Sequence, residues 1–226
     1  MVGNITISVV IPCFNEEKGI QKILSSKPAY LDEIIVVDNN STDKTAKFAR
    51  KSGARVIREK KQGYGAAIRT GIRKATNEVI VVLDGDDTYS LHDIKKLVRY
   101  LKEKDLDFVS ANRFDKRYNN TMPLLNLLGN KILTFATQIF FSFDIKDSQS
   151  GMFCFRRSIL PGIRFQCYGM GFSEEIKISV LKKNSKRFAE FPIEYHDMKR
   201  LGTKKLHMWK DGMDNLLFLI KIKFFS

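Results

Sequence analysis

The feature that most constrains this chain is an aliphatic run, Ile80-Val81-Val82-Leu83, that ends abruptly in Asp84-Gly85-Asp86-Asp87. A strand without a polar residue on either side must be covered on both faces, which is the situation of a strand inside a parallel sheet flanked by helices. The residues before it supply the rest of such a sheet. Short β-branched segments over 5–11, 33–38, 54–57 and 78–84 alternate with segments of 3.6-residue apolar period. Ile20, Ile23 and Leu24 form one helical stripe; Ser41 stands where an N-cap would open a second helix that Gly53 ends; a third helix runs over about 65–76. Ser90 and Asp93 make a capping-box-like start to a fourth, carrying Ile94, Leu97, Val98 and Leu101. This βα alternation predicts an α/β fold, a doubly wound, mostly parallel sheet with helices on both faces.

The second half is less regular. It offers a strand near 108–111, a long apolar helix from Pro123, a helix opened by Ser173-Glu174-Glu175, a strand near 188–193 and an amphipathic C-terminal helix. No linker-like stretch interrupts the 226 residues, so one domain is expected.

In doubly wound sheets, ligands bind beyond the carboxyl ends of the strands. There the sequence places Pro12-Cys13-Phe14-Asn15-Glu16-Glu17, Asp38-Asn39-Asn40-Ser41-Thr42-Asp43 and Asp84-Gly85-Asp86-Asp87. Acidic turns gathered on one edge repel one another unless a cation or hydrogen-bonding ligand lies between them. An Asp-x-Asp suits a hard cation, Mg2+ or Mn2+, whose other ligands are substrate phosphates. Asp84, Asp86 and Asp87 are the metal candidates, with Gly85 permitting close approach of the backbone; an acidic turn capping the next helix is the plain alternative. Gly63-Tyr64-Gly65 does not continue as a dinucleotide fingerprint, because the third glycine position is Ile68. It opens instead the helix bearing Arg69, a candidate phosphate contact. Arg113, Arg156, Arg157 and the run Lys199-Arg200-Leu201-Gly202-Thr203-Lys204-Lys205 supply cations suited to a diphosphate or a phosphorylated acceptor.

Charge narrows the partners further. Thirty-nine Lys and Arg against 25 Asp and Glu leave a formal charge of +14, which favours anionic ligands or an acidic membrane face. No helix-turn-helix, zinc finger or aromatic-basic interleaving is present, so nucleic acid is not expected. His92, His196 and His207 lack metal-ligand spacing, and Cys13, Cys154 and Cys167 form no CxxC pair, which fits a reducing compartment. With no basic leader or cleavage site, the expected location is cytoplasmic. Two apolar stretches, 124–143 and 216–225, fall short of a convincing span because of Asn126, Gly129, Asn130 and Lys131 in the first and the length of the second. Both suit the surface of an anionic bilayer, and peripheral attachment is the expectation.

Taken in order, Val-Ile-Pro-Cys-Phe-Asn-Glu-Glu, Val-Asp-Asn-Asn-Ser-Thr-Asp, Gly-Tyr-Gly-Ala-Ala-Ile-Arg-Thr-Gly and Leu-Asp-Gly-Asp-Asp resemble the family-2 glycosyltransferases of GT-A fold. The similarity is greatest to the dolichol-phosphate mannose synthase and polyprenol-phosphate glucosyltransferase branch. It continues through Ser110-Ala111-Asn112-Arg113-Phe114, Asp147-Ser148-Gln149-Ser150-Gly151 and Arg200-Leu201-Gly202-Thr203-Lys204-Lys205-Leu206.

The resemblance implies a nucleotide-sugar-binding half over 1–88 and an acceptor-side half over 89–226. Pro12, Phe14, Glu16, Asp38 and Asn39 would line the nucleoside pocket, with Arg69, Asp84 and Gly85 also on the donor and Asp86 on the metal. Arg113, Arg200 and Lys205 would contact phosphates and, with Asp86, carry catalysis. The donor would be a GDP- or UDP-hexose, the acceptor a polyprenol phosphate, and the displacement inverting. Three departures stand out: Asn39 where the family often has an acid, Lys204 where it commonly has serine, and Phe153 where it often has arginine, which moves any phosphate contact there to Arg156. A hydroxyl acceptor would need a base, for which Glu174 and Glu175 are candidates, although both also sit where a helix dipole favours acids. A non-catalytic nucleotide or membrane binder is the remaining alternative, disfavoured by intact Asp84, Asp86, Arg113 and Lys205.

Overall fold

The computed structural model describes residues 5–115, 122–197, 200–202 and 208–224. Strands β1 (Ile7–Cys13), β2 (Glu33–Asp38), β3 (Arg55–Arg58) and β4 (Val79–Val82) alternate with helices α1 (Glu17–Ser25), α2 (Thr45–Lys51) and α3 (Tyr64–Lys74). Then follow α4 (Asp93–Glu103), β5 (Phe108–Asn112), α5 (Leu124–Phe141), β6 (Phe153–Arg156), α6 (Phe172–Asn184), β7 (Phe188–Pro192) and α7 (Met208–Phe224). The strands form a seven-stranded sheet in the order β3-β2-β1-β4-β6-β5-β7, parallel except for β6. The expected α/β, mostly parallel architecture is the one observed.

Strand periodicity divides the core. On β1, Ile7, Val9, Ile11 and Cys13 face α1, α2 and α4, while Val10 faces α3 and α6. On β4, Val79 and Val81 take the first side, Ile80 and Val82 the second. A third, smaller cluster joins α5, α6 and α7 through Leu133, Phe141, Ile178, Leu219 and Ile222. The aliphatic run that opened the sequence reading is therefore covered on both faces.

Four local expectations are corrected. The first strand runs Ile7–Cys13 rather than 5–11, because its last residues pair with the end of β2, Pro12 opposite Val37 and Cys13 opposite Asp38. Ser41 does not cap α2, which begins at Thr45; its hydroxyl accepts the N–H of Asn15 at 3.0 Å. The capping is exchanged between the two helix starts: Asp43 accepts the N–H groups of Thr45 and Glu17, and Glu17 in turn accepts that of Lys44. Ser90 likewise sits ahead of α4, accepting the N–H of His92, and Asp93 pairs with Lys96 at 2.7 Å.

The fourth correction is β6, which the sequence reading does not contain. This four-residue strand inserts antiparallel between β4 and β5, Val82 opposite Phe153 and Phe108 opposite Phe155. Aromatic stacking favours the insertion: Phe108 lies 5.4 Å from Phe153, 5.9 Å from Phe155 and 5.4 Å from Phe188.

α5 runs unbroken through Asn126, Gly129, Asn130 and Lys131. With 18 residues and a mean hydropathy of 1.2 it reaches, by length and composition alone, what a membrane-crossing helix needs. Leu133, Thr134, Thr137 and Phe141 are nevertheless buried against protein.

Candidate active site

The carboxyl ends of β1, β2, β4 and β5 meet along one edge of the sheet, and two cavities lie there. The first, about 230 Å³, is lined by Pro12, Phe14, Glu16, Asn39, Gln62, Tyr64, Asp84, Gly85, Asp86 and Arg200, among others. The expected donor residues from strands one, two and four are thus brought together, and Asp38 stands just behind, accepting the N–H of Ser41 at 3.0 Å. Gly85 lines the cavity and is also required by protein packing. A Cβ there would lie 2.7 Å from the Cys13 sulfur, and the Gly85 carbonyl occupies the place a Cβ on Gly19 would take.

At the centre, Asp86 is almost fully buried. Its Oδ1 accepts both the N–H and the hydroxyl of Thr88, and its Oδ2 pairs with Arg200 at 2.5 Å. The Leu201 N–H donates to the Asp86 carbonyl, so segment 200–202 is clasped onto the turn after β4. Asp84 receives a hydrogen bond from the Tyr64 hydroxyl at 2.9 Å. Burial, followed by the charge of Asp86, pushes the Asp84 carboxyl up to about 6. Among the described residues, no three His, Cys, Asp or Glu side chains converge on a common point, so Asp84, Asp86 and Asp87 do not form a cage closed by protein alone. A hard cation at this turn would keep one or two carboxylates and take phosphate oxygens for the rest.

Asn39 lines the first cavity with its side-chain amide already bonded to protein. Its amide donates to the carbonyls of Glu59 and Lys61, and its oxygen accepts the N–H of Gly63 at 2.8 Å, so the side chain is committed to the β3–α3 loop. Arg69 does not reach the cavity. Its guanidinium stacks 4.2 Å from the ring centre of Tyr168 and faces the Cys167 carbonyl. The start of α3 is likewise occupied, because Gly65 and Ala66 donate to the carbonyls of Gly169 and Tyr168.

Arg113, expected to meet phosphate, is buried and held by Asp147 through Nε and Nη2, both at 2.8 Å, while its own N–H donates to the same carboxylate. Burial works against the Asp147 charge, yet the Arg113 guanidinium overcomes it and holds the carboxyl below the usual range. Arg156 is at the wrong end of the sheet. It lies opposite Val79, the first residue of β4, and binds Glu78 and the Leu106 carbonyl. Lys205, and with it Lys199, Thr203 and Lys204 of the basic loop, lies outside the described residues.

The second cavity, about 350 Å³, runs between α5 and α7. Leu125, Leu128, Ile132, Leu133, Met213 and Leu216 give it apolar walls, and Arg113, Asp197 and Gln149 stand at its inner end. It shares Tyr64, Asp84, Met170, Arg200 and Asp211 with the first. Of these, Tyr64, Met170 and Asp211 were missed from sequence. Tyr64 stood in a motif read only for its glycines, whereas Met170 and Asp211 carry no sequence signal of their own.

Glu174 and Glu175, the candidate bases, point elsewhere. Glu175 accepts the N–H groups of Gln166 and Cys167. Glu174 is fully buried with Gln149, Ser148 and Thr137 on one oxygen.

Comparison with known proteins identifies relatives of this chain. The model of a family described as glycosyl transferase family 2 matches residues 8–163. The chain is 32% identical over 209 residues to a dolichyl-phosphate hexose transferase of Haloferax volcanii, covering 91% of this chain and 89% of that protein. It is 30% identical over 222 residues to the low-salt glycan biosynthesis hexosyltransferase Agl6 of the same organism, spanning 95% of this chain and 53%, about half, of Agl6. Among solved structures, glucosyl-3-phosphoglycerate synthase from Mycobacterium tuberculosis, in complex with Mn2+, uridine diphosphate and glucosyl-3-phosphoglycerate, superposes with a TM-score of 0.78 at 22% identity. The match covers 97% of this chain and 80% of that one.

Proposed function

This chain belongs to glycosyl transferase family 2, and on that premise we propose that it moves a hexose from a GDP- or UDP-sugar to a polyprenyl phosphate at a membrane surface. One observation carries the reading: the apolar groove along α5 and α7 opens directly into the acidic pocket at the strand ends, Tyr64, Asp84, Met170, Arg200 and Asp211 lining both. A substrate suited to such a pair of cavities has an apolar tail for the groove and an anionic head for its inner end. The dolichyl-phosphate hexose transferase among the relatives supports this acceptor.

The residues fit a divalent cation. Two carboxylates, Asp84 and Asp86, lie close enough for the charge of one to raise the other, and a guanidinium already stands against Asp86. Asp86 with Asp84 would hold Mg2+ or Mn2+, which when bound supplies Lewis-acid stabilisation of the departing diphosphate. The mycobacterial structural neighbour, solved with Mn2+ and uridine diphosphate, supports that assignment. Arg200 reaches both cavities and offsets negative charge as it develops on the leaving group. An acceptor phosphate oxygen bonds to the anomeric carbon as the bond to the diphosphate breaks. The nucleoside diphosphate leaves with the electron pair, and the anomeric configuration inverts. No proton has to be removed from a phosphate that is already an anion, which accords with Glu174 and Glu175 being turned away from the groove.

Leu124, Leu128, Ile132, Phe135 and Ile139 form one exposed stripe on α5, and Met213, Leu217 and Phe224 another on α7. Exposed Lys131, Lys221 and Lys223 stand beside them. Apolar stripes edged by lysine support docking onto an anionic bilayer, with the groove opening where a lipid acceptor resides.

The test supplies Mn2+, a panel of UDP- and GDP-hexoses, and polyprenyl phosphate. Hexose should appear in an organic-extractable phosphodiester, and vesicle binding should rise with anionic lipid and fall with salt and in Leu128→Glu/Ile132→Glu. Transfer only to a saccharide or lipid hydroxyl would overturn the acceptor assignment.

A further inference from the structure

Segment 146–151, between α5 and β6, has no regular secondary structure, yet Asp147, Ser148, Ser150 and Gly151 are buried. Buried irregular backbone requires partners for its polar groups. They come from two side chains of opposite charge on different elements. Glu190 of β7 accepts the N–H of Lys146 at 2.7 Å and that of Asp147 at 2.8 Å. Lys177 of α6, wholly buried, donates to the carbonyls of Asp147 at 3.2 Å, Ser148 at 2.8 Å and Ser150 at 2.9 Å. An ammonium has three hydrogens, and three acceptors meet it.

The two ends of the segment face the site. Asp147 grips Arg113 with both oxygens, and Gly151 lies so close to Asp84 that a Cβ would fall 2.6 Å from its Oδ2. The Gly151 N–H is held in turn by the Tyr89 hydroxyl at 3.0 Å. Lys177 and Glu190 line neither cavity. Well-packed apolar residues often stabilise a core at least as well as a buried ion network, so stability alone is a weak reason for one here. Its geometry is a better one, since every hydrogen bond from the pair to this segment fixes backbone that carries Asp147 or leads to Gly151.

We propose that Lys177 and Glu190 are positioning residues for glycosyl transfer, a clamp of opposite charges that holds segment 146–151 so that Arg113 and Asp84 keep their places at the junction of the two cavities. This rests on the reading of that junction as the place of hexosyl transfer. Arg113 and Asp84 would shift if the segment loosened, whereas Pro12, Phe14 and Glu16 belong to the end of β1 and the turn after it. The clamp therefore acts on turnover through Arg113 and on metal retention through Asp84 more than on contacts to the nucleoside.

Lys177→Met keeps side-chain length and removes all three donors; Glu190→Gln keeps shape and removes the charge. Amide exchange over 146–151 is followed without substrate. Binding of uridine diphosphate without Mn2+ is measured by calorimetry, and kcat with Mn2+ and the donor and polyprenyl phosphate that the wild type uses. Exchange should rise and kcat fall on the order of tenfold or more, because small displacements of positioned groups cost rate steeply, while affinity for metal-free uridine diphosphate holds. A lower melting temperature with unchanged kcat per folded molecule would overturn the proposal, as would unchanged exchange in both variants. If Lys177→Met does not fold, Glu190→Gln decides by the same readings. Absence of transfer by the wild type would instead remove the functional reading, and exchange over 146–151 would still decide whether the clamp holds the segment.

Discussion

Glu174→Gln should change how stability depends on pH. Glu174 is fully buried, and its second oxygen has no hydrogen-bond partner among the described residues. Burial outweighs the hydrogen bond from Gln149 and the nearby Lys177 charge, pushing the carboxyl from 4.5 up to about 8. Because the native value is the higher one, the unfolded chain releases its proton first. Native stability therefore falls as pH rises from 4.5 towards 8, by about 1.4 kcal/mol per pH unit, or roughly 3 kcal/mol at pH 7.

Glutamine cannot ionise, so that slope disappears in the variant. Its amide nitrogen, placed where Oε2 stands, finds no acceptor among the described residues, a pH-independent cost of about 1–3 kcal/mol. The variant should be less stable than wild type at pH 5 and draw level or overtake by pH 7. Urea unfolding at pH 5, 6 and 7 measures the difference, and stopping at 7 keeps clear of Lys177, which burial brings down to about 8. A stability difference that stays constant across the three pH values would refute the reasoning.

Asp86→Ala removes the carboxylate facing Arg200; transfer should fall on the order of 10²–10³-fold, and near-normal release of nucleoside diphosphate in saturating Mn2+ would contradict the assignment. Asn39→Asp replaces an amide that donates to Glu59 and Lys61 with a group that cannot donate. It should cost about 1–3 kcal/mol, and an unchanged melting temperature would show that the β3–α3 loop is held by something else.

The first four strands and the turns after them were largely legible because their signals are local. An aliphatic run followed by Asp-x-Asp specifies a covered strand and an acidic turn at its end, and Asp84, Asp86 and Arg200 do meet there. What could not be read was partner choice over distance. Ser41 has every local mark of an N-cap, yet Asp43 and Glu17 cap the two helices across a gap in sequence that no window spans. Arg113, Arg156 and Arg69 look alike as cations, but Asp147, Glu78 and Tyr168 take them to three different tasks. β6 was missed because four residues in a run of Phe and Cys carry too little periodicity, and its place is decided by aromatic partners on strands β5 and β7.

That inserted strand bears on how the chain is made. β5 pairs only with β6 and β7, both later in sequence, and β4 has no neighbour on its second side until Phe153 arrives. During synthesis the first four strands can therefore assemble as they emerge, while β5 waits with both edges unpaired and β4 with one. Open edges of apolar strands recruit other chains. The nascent polypeptide is thus most exposed to misassociation between completion of β5 and emergence of β6, the interval in which the apolar α5 is also being made.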